Sequence, residues 1–172
     1  MIFFGDCMAN KVISDTGPLI HLSEIGLAKA LDAFKEIYIP EEVNNELKSY
    51  RINKNVFNNV KIANLDPKFK DVAEILVNKF FLDLGEAQAI ALSLQEKADY
   101  FLTDDLDART AAGAYNIEAH GTVGIILRAF RENIINKKLA LEKINELYTS
   151  SSLFITKDII DQIVKSINEF KK

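Results

Sequence analysis

Short apolar runs that stop at an acid or a proline, and then hand over to helical spacing, constrain this chain more than any other feature. Lys11-Val12-Ile13-Ser14 stops at Asp15, Ile37-Tyr38-Ile39 stops at Pro40, and Tyr100-Phe101-Leu102 runs into Thr103-Asp104-Asp105. Runs this short, rich in β-branched and aromatic residues, read as buried strands. Further strands are expected at Val60 to Ala63 and Ile117 to Ala119. Helical patterns fill the intervals: from Gly17-Pro18 onward, then Ala28 to Phe34, Glu41 to Leu47, Pro67 to Phe80, Gly85 to Lys97, Leu106 to Tyr115 and Val123 to Glu132. Two more, Lys138 to Tyr148 and Lys157 to Phe170, finish the chain. Short strands alternating with helices give an α/β fold, a parallel sheet covered on both faces. In such folds ligands bind beyond the carboxyl ends of the strands.

Those ends carry acids. Asp15 follows the first strand directly, and it reads equally well as a helix cap or as a rigidly held site carboxylate. In Pro40-Glu41-Glu42-Val43-Asn44-Asn45-Glu46-Leu47, Val43 and Leu47 face the core, and Glu46 lies on the border of that buried stripe. Glu41 and Glu42 suit the helix dipole and are expected to be structural. Asp83 and Glu86 have capping-box spacing ahead of an apolar helix, and taken alone capping is the better reading. Asp104 and Asp105 are adjacent at a strand end, where two like charges repel unless something positive lies between them. A cap needs only one of them, so the surplus carboxylate favours a metal.

Composition limits which metal. With one cysteine (Cys7) and two histidines (His21 and His120), neither an internal disulfide nor a sulfur- or nitrogen-built site is expected. Oxygen ligands point to Mg2+ or Mn2+. A formal net charge of −4 weighs against a non-specific nucleic-acid binder but not against an enzyme whose acids gather in one pocket. The longest apolar stretches are too short to span a bilayer and the start lacks a signal-peptide pattern, so a cytoplasmic protein with no membrane partner is expected. No repeat or Gly/Ser-rich linker divides the 172 residues.

Taken together, Asp15 after a short strand, Glu46 in Pro-x-x-Val-x-x-Glu-Leu (Pro40 to Leu47) and Thr103-x-Asp105 after a later strand resemble the PIN domain. Asp-Thr-Gly-Pro-Leu-Ile (Asp15 to Ile20), Leu-Gly-Glu-Ala-Gln-Ala-Ile (Leu84 to Ile90), Leu-Thr-Asp-Asp (Leu102 to Asp105) and Gly121-Thr122-Val123-Gly124 bring the resemblance closest to a branch related to VapC-type toxins. The resemblance implies a three-layer α/β/α fold, dependence on Mg2+ or Mn2+, and endonucleolytic cleavage of single-stranded or structured RNA. Carried over by position, Asp15, Glu46, Glu86 and Asp105 form the acidic quartet, with Asp104 a further metal-ligand candidate. Glu86 departs from the Asp usual at the third position. The resemblance also implies a small antitoxin or a homodimer as partner. The expected organisation is a dispensable extension over residues 1–10, a PIN-like nuclease domain over 11–136, and a helical extension over 137–172 packed on the same domain.

The expected mechanism is in-line attack on a phosphodiester by a metal-activated water, with Asp15 and Asp105 holding the principal cation and Glu46 and Glu86 completing the site. Thr103 is expected to bond a carboxylate or a phosphate oxygen. Lys48, Arg51 and Arg109 are candidates for holding the RNA backbone. The competing reading is a PIN-like module that binds RNA or protein with a weakened metal site. Asp15-Thr16-Gly17 also spells the aspartic-protease triplet, but one copy in a helix-rich chain lacks the second aspartate and the all-β fold that chemistry needs. Haloacid dehalogenase-type phosphatases need a second Asp two residues after the first, where this chain has Gly17.

Overall fold

A strand in the middle of a doubly covered sheet must be apolar on both faces, and β1 (Val12–Ser14) is: Val12 faces one hydrophobic core and Ile13 the other. The computed structural model describes residues 11–170; the expected N-terminal extension, with Cys7, lies outside the described residues. β1 pairs in parallel with β2 (Ile37–Ile39) on one side and β4 (Tyr100–Leu102) on the other. β3 (Val60–Ile62) and β5 (Ala119–His120) extend the sheet to the order β3-β2-β1-β4-β5, parallel throughout.

Helices cover both faces. One core gathers residues from α1 (Thr16–Glu24), α2 (Glu41–Ser49) and α6 (Thr122–Arg131), and from the terminal pair α7 (Lys137–Ser150) and α8 (Lys157–Glu169). The other gathers residues from α3 (Pro67–Phe80), α4 (Leu84–Glu96) and α5 (Leu106–Ala114). The result is the expected three-layer α/β/α arrangement. Ala140, Ile144 and Leu147 of α7 and Ile160, Ile163 and Ile167 of α8 are buried in the same cluster as Ile125 and Phe130 of α6.

Two expectations shift. Residues Ala28–Ala33 form a 3-10 helix rather than an α-helix, with Ala30 N donating to Leu27 O and Phe34 N to Leu31 O. Phe34 then leaves in an extended conformation, and its ring lies 5.0 Å from the buried guanidinium of Arg128. The last strand begins at Ala119 rather than Ile117, because Ile117 N turns back to Ala112 O to close the end of α5. Asn116 makes that turn at φ 59°, and pairing resumes at Phe101 with Ala119.

The strand order has a functional corollary. From β1 the chain builds outward through β2 and β3, then returns to place β4 and β5 on the opposite side of β1. Loops leaving β1 and β4 therefore diverge above the sheet and leave a crevice between them. Asp15 and Asp105 stand at that switch point.

Candidate functional site

Asp15 leaves β1 with its N–H bonded to Leu102 O at 2.9 Å, and it caps α1 by accepting from Thr16 N with Oδ1. Its other oxygen accepts from Thr103 Oγ1 at 2.9 Å. Thr103 Oγ1 in turn accepts from Asp105 N at 3.1 Å, so one hydroxyl, 88 residues beyond Asp15 in sequence, ties the two aspartates together. Asp105 caps α5, accepting from Ala108 N at 2.8 Å. Asp83 and Glu86 form a reciprocal capping box on α4, Glu86 N donating to Asp83 Oδ1 at 2.8 Å and Asp83 N to Glu86 Oε2 at 3.0 Å. The capping reading of these acids is therefore correct, and three helix N-termini, those of α1, α4 and α5, bring their capping carboxylates to one crevice. The partial positive charge of those termini favours negative groups there.

Glu46 arrives from α2, where its carboxylate accepts from Thr16 Oγ1. It lies so close over the first turn of α4 that a Cβ at Gly85 would stand 2.8 Å from Glu46 Cδ. Glycine at 85 is what gives this glutamate its room.

Asp15, Glu46, Asp83, Glu86, Asp104 and Asp105 all line one cavity of about 700 Å3, together with Thr16, His21 and Tyr50. Burial, opposed by the Thr16 and Thr103 bonds and helped by the charges of Asp83 and Glu46, pushes the Asp15 carboxyl up to about 7. Burial together with the Asp83 charge pushes Glu86 up to about 8, and burial raises Glu46 above the usual carboxylate range. Among the described residues no lysine or arginine lines this cavity to offset the like charges, an electrostatic condition that a hard divalent ion would relieve.

Adjacent Asp104 and Asp105 part company. The N-cap of α6 is Gly121, which has no side chain to cap with, and Asp104 supplies the cap from another element. Its Oδ1 accepts from Thr122 N at 2.7 Å and its Oδ2 from Thr122 Oγ1 at 2.5 Å, while His21 Nδ1 lies 2.7 Å from Oδ2. Arg109 is likewise engaged, donating to the backbone carbonyls of Thr103 at 3.0 Å and Ala119 at 3.2 Å, where it ties the ends of β4 and β5. Lys48 pairs at 3.7 Å with Glu41, and Arg51 is exposed at the end of α2, with φ 59°. Neither Lys48 nor Arg51 is among the residues lining the acidic cavity.

Among the described residues, no group of three or more His, Cys, Asp or Glu side chains is arranged to hold a metal ion. The donors are nonetheless the right kind: carboxylate oxygens from separate elements, one of them buried, with carboxyl groups held above their ordinary range. The set fits Mg2+ or Mn2+ in chemistry. Asp83 and Tyr50, like Thr16 and His21, are site neighbours that sequence reasoning passed over. The capping-box spacing of Asp83 gave it a sufficient structural role, and Tyr50 ends α2 one turn after Glu46, which is the signal that could have found it.

A sequence profile described as PIN domain matches residues 11–169, and so takes in both C-terminal helices. No curated protein matches the chain.

Proposed function

Because the chain belongs to the PIN-domain family, whose members are generally nucleases, we propose that it is a divalent-metal-dependent endoribonuclease that hydrolyses RNA phosphodiester bonds. The observation that carries this reading is the gathering of Asp15, Glu46, Glu86 and Asp105, from four separate elements, around one cavity at the switch point of a parallel sheet. Asp15 and Asp105 would hold the principal cation, and Glu46 and Glu86 would complete its surroundings or orient water. A bound Mg2+ or Mn2+ supplies Lewis acidity, lowering the pKa of a water and neutralising phosphate oxygens.

The chain's own residues do the positioning. Thr103 fixes Asp15 Oδ2 and the backbone of Asp105 with one hydroxyl, and such supporting partners typically matter about 10–100-fold. Thr16 and the bare Cα of Gly85 fix where the Glu46 carboxylate lies. Asp104, with both oxygens engaged by Thr122 and His21, anchors the start of α6 beside the cavity. Hydrolysis adds the water oxygen to phosphorus and leaves a proton on the departing oxygen.

The deciding experiment incubates the protein with a mixed RNA pool in Mn2+, with and without excess EDTA, and maps the cut ends. Cleavage that depends on Mn2+ and is lost in Asp15→Asn supports the reading; cleavage that survives EDTA rejects the metal mechanism. The second reading, a module that binds RNA or protein with a weakened metal site, is favoured by the lack of a ready-made group of three ligands among the described residues. It predicts RNA binding with no Mn2+-dependent cleavage. The likeness to VapC-type toxins adds a proposed biological setting: a toxin of a toxin–antitoxin pair, tested by whether expression arrests growth and a co-expressed neighbouring small protein restores it.

A further inference from the structure

Phe154 sits in residues 151–156, between α7 and α8, and is 92% exposed. Its neighbours Leu153 and Ile155 are partly buried and pack against the core. The segment is pinned as well: Ser152 N donates to Glu24 Oε2 at 2.8 Å, Ser151 Oγ donates to Leu147 O at 2.5 Å, and Leu153 N donates to Ser151 Oγ at 3.2 Å. The ring therefore stands out from a fixed stem. Its position is telling: Phe154 lines the acidic cavity and also a second cavity of about 700 Å3, lined by Arg109, Glu118, His120 and Gly121 among others. Tyr50, 63% exposed, is a second aromatic residue lining the acidic cavity.

An RNA strand meets a poor electrostatic welcome here. The chain carries a net charge of −4, acids crowd the cavity, and among the described residues no lysine or arginine lines it. Affinity drawn from phosphate contacts is correspondingly small. The remaining sequence-tolerant source is the π-face of an unpaired base, which stacks on exposed aromatic rings.

We propose that Phe154 is a substrate-binding residue, stacking on an unpaired base next to the phosphate held at the acidic cavity. The proposal rests on the ribonuclease reading above and names the part of the substrate that the C-terminal helices help to grip. A base paired within a duplex cannot offer its face, so cleavage prefers single strands.

Initial rates in Mn2+ on a single-stranded RNA oligonucleotide test it. Phe154→Ala should raise KM about tenfold with kcat within about twofold, as expected for loss of one stacked base. Phe154→Trp should restore KM, whereas Phe154→Leu, apolar but without a π-face, should not. Removing one base beside the cut should cost the wild type the same factor and cost Phe154→Ala nothing more. An unchanged KM in Phe154→Ala, or full restoration by leucine, overturns the proposal. So does a drop in sedimenting mass in Phe154→Ala, which would assign the ring to a protein interface. Failure of the wild type to cleave any RNA in Mn2+ removes the ribonuclease reading and this inference with it, an outcome distinct from a cleaving wild type whose variant is unaffected.

Discussion

Asp15 and Arg128 are both buried charges, and the protein treats them in opposite ways. Arg128, 1% exposed on α6, lies with its guanidinium 5.0 Å from the Phe34 ring and 5.7 Å from the Tyr100 ring. Its Nε donates to Ala33 O at 3.3 Å and pairs with Glu132 at 2.8 Å. Aromatic faces, a carbonyl and a carboxylate all favour the cation. Asp15 has two hydrogen-bond donors, but burial, helped by the charges of Asp83 and Glu46, drives its carboxyl up to about 7. A charge surrounded by what suits it is holding a structure together. One that burial and like charges both oppose is where the fold carries a cost in stability.

Asp15→Asn is the sharpest test of that contrast. Cleavage should fall by more than about a hundredfold, since even residues that merely support metal ligands are typically worth 10–100-fold. The thermal midpoint without added metal should stay level or rise, because a repelled charge is removed. A lower midpoint would mean that Asp15 is structural, as Arg128 is. Arg128→Ala should do the reverse. It should cost about 3 kcal/mol of stability in denaturant unfolding, as loss of one partner of a buried pair does, with cleavage per folded molecule unchanged.

Proton linkage separates the two regions next. Asp15 and Glu86 have native pKa values of about 7 and about 8, above their ordinary values of 3.8 and 4.5. The folded state therefore binds more protons than the unfolded one between those limits, and stability falls as pH rises through the window. Without divalent ions the protein should unfold at a higher temperature at pH 5 than at pH 8. Mn2+ at a hundred times its Kd should add about 2.7 kcal/mol at pH 8 and much less at pH 5, where protons compete for the same oxygens. An Mn2+ effect independent of pH would place the ion elsewhere.

The smallest expected effect is at Gly85. Alanine there gains up to about 1 kcal/mol of helix propensity but pushes on the flexible end of Glu46. Calorimetry should show a midpoint within a few degrees of wild type, while cleavage drops severalfold. A variant with full activity would remove Glu46 from the working group.

Much of this was legible before any coordinates. The strands at Ile37–Ile39 and Tyr100–Leu102 and the helix Pro67–Phe80 carry their periods and their stops locally. The acids at 15, 46, 86 and 105 stood out singly at strand ends and helix borders, and as a set only through the resemblance to the PIN domain. What stayed hidden is what depends on residues far apart in sequence. No local pattern tells that Asp104 would turn from its neighbour to cap α6, or that Asp83 would raise the pKa of Asp15 as well as close its own helix. Nor does any pattern around Phe154 announce a position beside acids about 50 or more residues earlier in the chain, because proximity of that kind is decided by packing.

The pairing of β1 with β4 has a consequence for the newly made protein. Asp15 meets its threonine partner only when a strand 88 positions later has emerged and docked, a contact whose chain-closure cost delays it. A nascent polypeptide halfway out of the ribosome thus carries some of the acids but no working pocket. On the ribonuclease reading, the pocket that would cut RNA is therefore assembled only late in translation.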